Sequence, residues 1–243
     1  MKKAFIRTKN VKNFVALMEN LKKCPANIPK MALVYGGHGL GKSQTILWWA
    51  TNNDAVYVRA NQGMTSRWLL CEIAEELGEV PFFHTQETFN LIEQNLKTNP
   101  KIIIVDEIDY LISNQNTIET LRDLHDRTGV PIVLVGMGMA DKKISRYKHL
   151  EDRIYEKLKF EHFNQQDISE IISQLSDIKF SDGAIEYLSV QSNQFRQIIK
   201  LINKIEKLAK TNNLKEIDEY ILKEILNERP NTKVMQKVEQ IYA

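Results

Sequence analysis

A glycine-rich stretch between a short apolar run and a helical segment constrains the fold of this 243-residue chain more than any other feature. The apolar run, residues 31–35, predicts a buried strand, and the pattern after it predicts a helix over about 41–53. Residues 36–43 read Gly-Gly-His-Gly-Leu-Gly-Lys-Ser, which fits the pattern G-x-x-x-x-G-K-[ST]. A strand, such a loop and a helix in that order are typical of a parallel α/β sheet.

The residue types in this loop suit the binding of phosphate groups. Glycines let the main chain bend so that successive N–H groups point inward, and the N-terminus of the next helix adds partial positive charge. Lys42 is expected to reach the β- and γ-phosphates of a nucleotide, while the Ser43 hydroxyl coordinates Mg²⁺. We therefore expect ATP and Mg²⁺ as cofactors. The predicted phosphate-binding residues are Gly36, Gly37, His38, Gly39, Leu40, Gly41, Lys42, Ser43 and Gln44.

A second motif supplies carboxylates at the end of an apolar strand. Residues 102–105 are Ile-Ile-Ile-Val, as in a strand buried on both faces, and Asp106 and Glu107 follow directly. Ligands bind beyond the carboxyl ends of the strands in such sheets. Asp106 is predicted to hold Mg²⁺ through water and Glu107 to act as the general base that polarises the attacking water. Asp109 is interpreted as a solvated residue of the following turn.

The remaining chain is predicted to alternate strands and helices and then to become helical. The predicted strands are 31–35, 55–59, 102–105, 131–135 and 155–160, with helices at 10–23, 41–53, 65–77, 84–97 and 117–128. The first of these helices is expected to have Thr8 or Asn10 as its N-cap. Later segments, at 165–176, 182–191, 194–210 and 215–228, carry helical periodicity and no strand signal. We predict a five-stranded parallel α/β domain over 1–163, a small all-α domain over 164–229 and a tail over 230–243.

Composition excludes several classes of protein. Hydrophobic residues make up 43% of the chain, enough for a core, but no stretch approaches the roughly 18 apolar residues of a membrane helix. Cys24 and Cys71 are isolated, and no apolar run follows the basic N-terminus as in a signal peptide. We expect a cytoplasmic protein without a membrane partner. Residues 1–30 hold eight Lys or Arg against Glu19 alone. This excess of positive charge is typical either of a segment that binds a phosphate backbone or of an ordinary solvated surface.

With these residues in place, the chain resembles the AAA+ transposition regulators, above all the phage Mu B-type ATPases and their TnsC/TniB relatives. The more discriminating stretch is 121–136, Leu-Arg-Asp-Leu-His-Asp-Arg-Thr-Gly-Val-Pro-Ile-Val-Leu-Val-Gly. Other stretches that carry the likeness are 8–11, 33–43, 55–60, 66–70 and 105–109. The resemblance implies a P-loop AAA+ ATPase core with an α-helical lid. It also implies ATP-dependent assembly on double-stranded DNA as filaments or rings, and recruitment of a transposase.

The resemblance implies further site residues. Thr8, Asn10 and Val11 would contribute to nucleotide binding. Arg153, with Arg146 as a competing candidate, would project toward the nucleotide of a neighbouring copy, and Arg196 would report on the γ-phosphate from the lid. For both Arg153 and Arg196 an exposed surface arginine is the alternative. Such proteins present a polar sensor residue after the strand at 131–135, but here the chain continues Gly-Met-Gly-Met, so slow hydrolysis is expected.

Because no separate DNA-reading domain precedes the core, DNA is expected to be held by the core, mainly through phosphates. The candidates, chosen as loop or helix ends that could face a central channel, are Thr65, Arg67, Lys97, Lys142 and Lys143. Two alternatives stay open. One is a replication initiator or helicase loader of the same fold, which the short predicted tail disfavours. The other is a nucleotide-gated interaction module with little turnover.

Overall fold

A computed structural model describes residues 5–25 and 27–227 and divides the chain into two units. The sheet unit is Asn10–Glu161. The helical unit combines residues 5–9 with 162–227. The predicted tail, 230–243, lies outside the described residues.

The sheet unit is built on one parallel sheet, as predicted. Its strands are β1 (Met31–Gly36), β2 (Val56–Arg59), β3 (Ile103–Asp106), β4 (Ile132–Met137) and β5 (Ile154–Phe160). Their order is β2-β3-β4-β1-β5, and every neighbouring pair is parallel. The carboxyl ends of all five strands therefore meet at one edge of the sheet, which is where open α/β sheets bind ligands.

Helices cover both faces of this sheet. They are α1 (Lys9–Lys23), α2 (Lys42–Asn52), α3 (Ser66–Glu76), α4 (Thr85–Thr98), α5 (Gln115–Thr128), α6 (Ala140–Ile144) and α7 (Lys148–Glu151), with a 3-10 turn at Ile108–Tyr110. One core lies between α1, α2 and the sheet and includes Phe14, Ile46, Trp49, Val34 and Val135. The other lies under α3, α4 and α5 and includes Leu70, Ile92, Leu121, Leu33 and Val105. Alternate side chains of a strand point to opposite faces, so the central strands are apolar throughout.

The start of α1 separates the two predicted N-caps. The helix begins at Lys9, so Thr8 directly precedes it, whereas Asn10 lies inside it and is not its N-cap. The Asn10 amide instead bonds the main chain of Glu161 twice: Nδ2 donates to the carbonyl oxygen (2.9 Å) and Oδ1 accepts from the N–H (3.1 Å). Asn10 therefore ties the start of α1 to the residue that follows β5.

The helical unit contains α8 (Gln165–Leu175), α9 (Asp182–Gln191), α10 (Phe195–Thr211) and α11 (Glu219–Asn227). Two short parallel strands that the sequence did not predict, β6 (Lys179–Phe180) and β7 (Glu216–Ile217), pair with each other. Two-residue strands are too short to show an alternating pattern, so only long-range pairing reveals them. Ile6 is buried in the core of this unit, although the sequence assigned residues 1–163 to the other domain.

Across the described ranges 5–25 and 27–227, every helix falls short of the length and apolar character that crossing a membrane would take.

Candidate nucleotide site

The phosphate-binding loop joins the end of β1 to the start of α2. Gly39 (φ +73°) and Gly41 (φ +89°) have left-handed backbone conformations, which glycine adopts without steric cost. Within the described residues no side chain caps α2, and its first hydrogen bond runs from Thr45 N–H to the Gly41 carbonyl (2.9 Å). The preceding N–H groups of Ser43 and Gln44 thus have no acceptor in the helix, and they are free to bind an anion.

Lys42 is folded into this loop. Its side chain is buried, and Nζ donates to the carbonyl oxygens of Gly36 and Gly37, each at 2.8 Å. Burial lowers the pKa of Lys42, while the negative charges of Asp106, Glu107 and, more weakly, Asp109 act to raise it. A polyphosphate in the loop would supply further negative charge to this desolvated ammonium.

Asp106 is held in place at the end of β3. It is only 2% exposed; Oδ1 accepts from the Glu107 N–H (2.8 Å) and Oδ2 accepts from the Tyr57 hydroxyl (3.0 Å). Burial and the negative charge of Asp106 raise the pKa of Tyr57. Tyr57 therefore stays protonated and orients the carboxylate. Sequence reasoning missed this contact, which arises because β2 pairs in parallel with β3.

Glu107 follows with a strained backbone. Its φ of +56° lies in the left-handed region, which is uncommon for residues other than glycine and is often found at functional sites. Arg59 Nη2 lies 3.4 Å from Glu107 Oε1, and Arg59 is paired in register with Asp106. The Glu107 side chain is 26% exposed, so solvent reaches the carboxylate that was predicted to be the general base.

Asp109 is not a solvated turn residue, contrary to the sequence-based interpretation. The 3-10 turn at Ile108–Tyr110 carries it back against β4, and its side chain is 14% exposed. Oδ2 accepts from the Met137 N–H (2.5 Å), and Oδ1 lies 3.0 Å from Lys143 Nζ. Asp109 therefore bonds the strand end that lacks the expected polar sensor.

The residues present fit a magnesium nucleotide. Ser43 follows Lys42 in the first turn of α2, and Asp106 ends β3, whose carboxyl end lies at the same edge of the sheet as that of β1. Among residues 5–25 and 27–227 there is no cluster of three or more His, Cys, Asp or Glu that could hold a metal ion. Magnesium at nucleotide sites needs only one or two protein groups, because phosphate oxygens and waters complete its coordination. A hydroxyl and a buried carboxylate beside the loop are a suitable donor set.

Arg153 lies at the edge of the sheet opposite the phosphate-binding loop. Its carbonyl accepts from the N–H of Met31, the first residue of β1, whereas the loop follows Gly36, the last. At about 3.3 Å per residue, roughly 16 Å of strand separates the two ends. The guanidinium pairs with Asp126 (Nη2 to Oδ2, 2.8 Å), which lowers the pKa of Asp126 and raises that of Arg153. Arg153 therefore cannot reach a nucleotide held by the loop of its own chain.

The other predicted nucleotide contacts are placed as follows. Arg146 is exposed and forms no ion pair within the part of the chain that the structure describes. Arg196 is exposed in the first turn of α10, in the helical unit. Thr8 is buried in the helical unit, and Val11 is buried on α1 in the sheet unit. Both polar groups of the Asn10 side chain are already bonded to Glu161.

The five predicted DNA contacts lie on or at the start of three different helices, α3, α4 and α6. Thr65 accepts from the Trp68 N–H (3.2 Å) as the N-cap of α3, and Arg67 stacks 5.2 Å from the ring centre of exposed Phe83. Lys97 pairs with Glu93 (2.6 Å) in the last turn of α4, before β3 begins, so it lies toward the opposite edge of the sheet. Lys142 and Lys143 lie on α6, after β4, where Lys143 pairs with Asp109.

The sheet order, the glycine loop at the start of α2 and the carboxylates after β3 together define the fold of a P-loop AAA+ ATPase. Residues 28–144 match the family described as AAA domain. This part of the chain, just under half of its length, is therefore similar to AAA-domain proteins.

Known proteins agree with this assignment. A "Potential ATP-binding protein" from Staphylococcus aureus is 27% identical over 126 residues, which cover 48% of this chain and 46% of that protein. The match thus spans less than half of the length of that relative.

Several known structures share the fold. The Aeropyrum pernix ORC2 protein in its ADP form superposes with a TM-score of 0.67 at 16% identity, over 94% of this chain and 70% of that chain. Drosophila ORC bound to DNA gives 0.64 at 18% identity, over 98% and 65%. The Thermotoga maritima RuvB Holliday junction branch migration motor gives 0.57 at 19% identity, over 98% and 78%. At such identities the likeness establishes the fold alone.

Proposed function

We propose that this chain is a Mg²⁺-dependent ATPase that assembles on double-stranded DNA and selects target sites for a transposase. The proposed ATPase activity is supported by one observation: the loop that holds Lys42 lies at the same edge of the sheet as Asp106 and Glu107. The transposition part is supported by the resemblance of residues 121–136 to the transposition regulators.

Each residue of the site has a role in this proposal. Bound magnesium would neutralise phosphate charge as the terminal phosphoryl group is transferred. Ser43 and Asp106 would hold the metal, and Tyr57 would keep the Asp106 carboxylate oriented. Lys42 would bind the β- and γ-phosphates, and Glu107 would accept a proton from the attacking water. Arg153 would add positive charge at the γ-phosphate of a neighbouring copy.

Assembly on DNA is tested by electron microscopy with plasmid DNA and a non-hydrolysable ATP analogue. We expect filaments or rings that become fewer as salt is raised. Binding to phosphates releases counterions from the DNA, so added salt weakens the binding. Lys42→Ala is the matched control and should leave the DNA bare. Bare DNA with the unaltered chain, across protein concentrations and at low salt, would exclude the DNA-assembly proposal.

Glu107→Gln is expected to keep nucleotide binding but to lower steady-state ATP turnover roughly a hundredfold, since the amide cannot accept the proton from water. Its complexes with DNA should last longer, because hydrolysis would release them. Phosphate release and the lifetime of DNA complexes measure the two effects. Glu186→Gln, which neutralises an exposed carboxylate of α9, is the control and should behave as wild type. Unchanged turnover and lifetime in Glu107→Gln would rule out its role as general base.

A replication initiator or helicase loader is the second candidate, suggested by the structural likeness to ORC proteins. Affinity capture with the ATP-analogue-bound chain separates the two, since a replicative helicase would be recovered in place of a transposase. A third candidate, a nucleotide-gated module with little turnover, is suggested by the sequence Gly-Met-Gly-Met after β4. Turnover that stays negligible with and without DNA would favour it.

A further inference from the structure

The end of β4 carries an ion pair where a polar sensor side chain was expected. The strand runs into Gly136, Met137, Gly138 and Met139, none of which offers a polar side chain to a phosphate. Directly beside it, Asp109 bonds the Met137 main chain and pairs with Lys143 of α6. The next helix thus supplies a cation beside this strand end.

Gly136 is required for this arrangement. A Cβ placed there would lie 2.4 Å from the Ala140 Cβ, 2.9 Å from Asp109 Oδ2 and 2.9 Å from Ile108 Cγ2. Any side chain would therefore displace α6 or break the Asp109 bond. The absence of a side chain at Gly136 lets Asp109 hold both the strand end and the helix that carries Lys143.

The strand end lies against the phosphate-binding loop. A Cβ built on Gly138 would be 3.8 Å from the carbonyl carbon of Gly36 and from the nitrogen of Gly37, the two residues whose carbonyls hold Lys42. The charge of Asp109 also influences the Lys42 ammonium. The Asp109–Lys143 pair therefore stands within electrostatic range of the site where phosphates would bind.

We propose that Lys143, positioned by Asp109, contacts the terminal phosphate of a nucleoside triphosphate and so distinguishes triphosphate from diphosphate. This inference rests on the proposed nucleotide binding. It assigns Lys143 to the nucleotide site instead of to the DNA surface.

The exposure of Lys143 allows it to contact a second anion. Its side chain is 43% exposed, and Asp109 also accepts from the Met137 N–H, so Asp109 keeps a partner when Lys143 turns toward a phosphate. The next lysine, Lys142, is exposed and makes no ion pair within the described part of the chain. Asp141 of the same helix is paired with Lys157 of β5 (2.8 Å), so it does not compete for Lys143.

The test measures dissociation constants of a fluorescent non-hydrolysable ATP analogue and of the matching ADP analogue, with Mg²⁺ and without DNA. In Lys143→Gln we expect the preference for triphosphate over diphosphate to fall about tenfold, the size of one charge-assisted hydrogen bond. Lys142→Gln is the matched control on the same helix and should keep the wild-type preference. Lys143→Arg, which retains the charge, should keep most of it. Lys143→Met serves as a second neutral variant should the glutamine variant fold poorly.

The outcomes separate this inference from the proposed function. An unchanged preference in the neutral variants, or an equal loss for both nucleotides, would overturn the role of Lys143 while ATP binding stands. A loss of DNA affinity with an unchanged preference would also overturn it and make Lys143 a DNA contact. Failure of the wild-type chain to bind either nucleotide would refute both proposals together.

Discussion

Lys42→Ala is expected to lower the affinity for ATP by at least roughly a hundredfold, since it removes a charged hydrogen-bond donor from the phosphate site. The ammonium is buried and held by the carbonyl oxygens of Gly36 and Gly37, so the substitution removes a positive charge that the loop itself keeps in place. Titration calorimetry with Mg²⁺ and ATP measures the loss. Turnover and assembly on DNA should disappear with it.

Lys159→Ala controls for the loss of one positive charge. This residue is exposed on β5 and should leave nucleotide affinity unchanged. Thermal unfolding of each variant without nucleotide shows whether the fold survives. A folded Lys42→Ala chain that binds ATP as tightly as wild type would refute the nucleotide site itself.

Arg153→Ala is expected to leave ATP binding intact and to reduce assembly-dependent turnover by on the order of a thousandfold, as for an arginine supplied in trans. The chain's own loop is at the other end of β1, so the loss should appear only where copies contact each other. Turnover as a function of protein concentration, with DNA present, measures it.

Asp126→Ala is the matched control, because it breaks the same ion pair but keeps the guanidinium. If Arg153 acts on a neighbouring nucleotide, this variant should retain turnover. Mixing Arg153→Ala with Glu107→Gln should restore part of the activity, since Glu107→Gln still binds ATP and assembles, and it offers its intact arginine to a partner that keeps Glu107. If Arg153→Ala and Asp126→Ala lose turnover equally, and mixing restores none of it, Arg153 has only a structural role.

The fold and the centre of the site could be predicted because their signals are local. The glycine loop and the lysine that follows it are contiguous in sequence, and the apolar run before Asp106 marks its own strand. Burial on both faces forces a central parallel strand to be apolar throughout, so the core strands were recognisable from composition. The predicted strands and their sheet are confirmed.

Other features depend on distant segments. β6 and β7 have two residues each, and each forms a strand only by pairing with the other. Asn10 was predicted, as the alternative to Thr8, to cap α1, yet its amide bonds Glu161, a residue 151 positions away. Local pattern cannot predict such contacts, because the partner is chosen by the packing of the whole unit.

The sequence by itself determined that this chain forms a parallel sheet with a phosphate-binding loop and two carboxylates at its carboxyl edge. Both the periodicity of the strands and the chemistry of the loop depend on residues that are contiguous in sequence. Only the tertiary structure decided what surrounds them. Parallel pairing of β2 with β3 placed Tyr57 on Asp106, and the 3-10 turn after β3 brought Asp109 between β4 and Lys143. These contacts join side chains from separate strands and helices, so they exist only once the strand order is set.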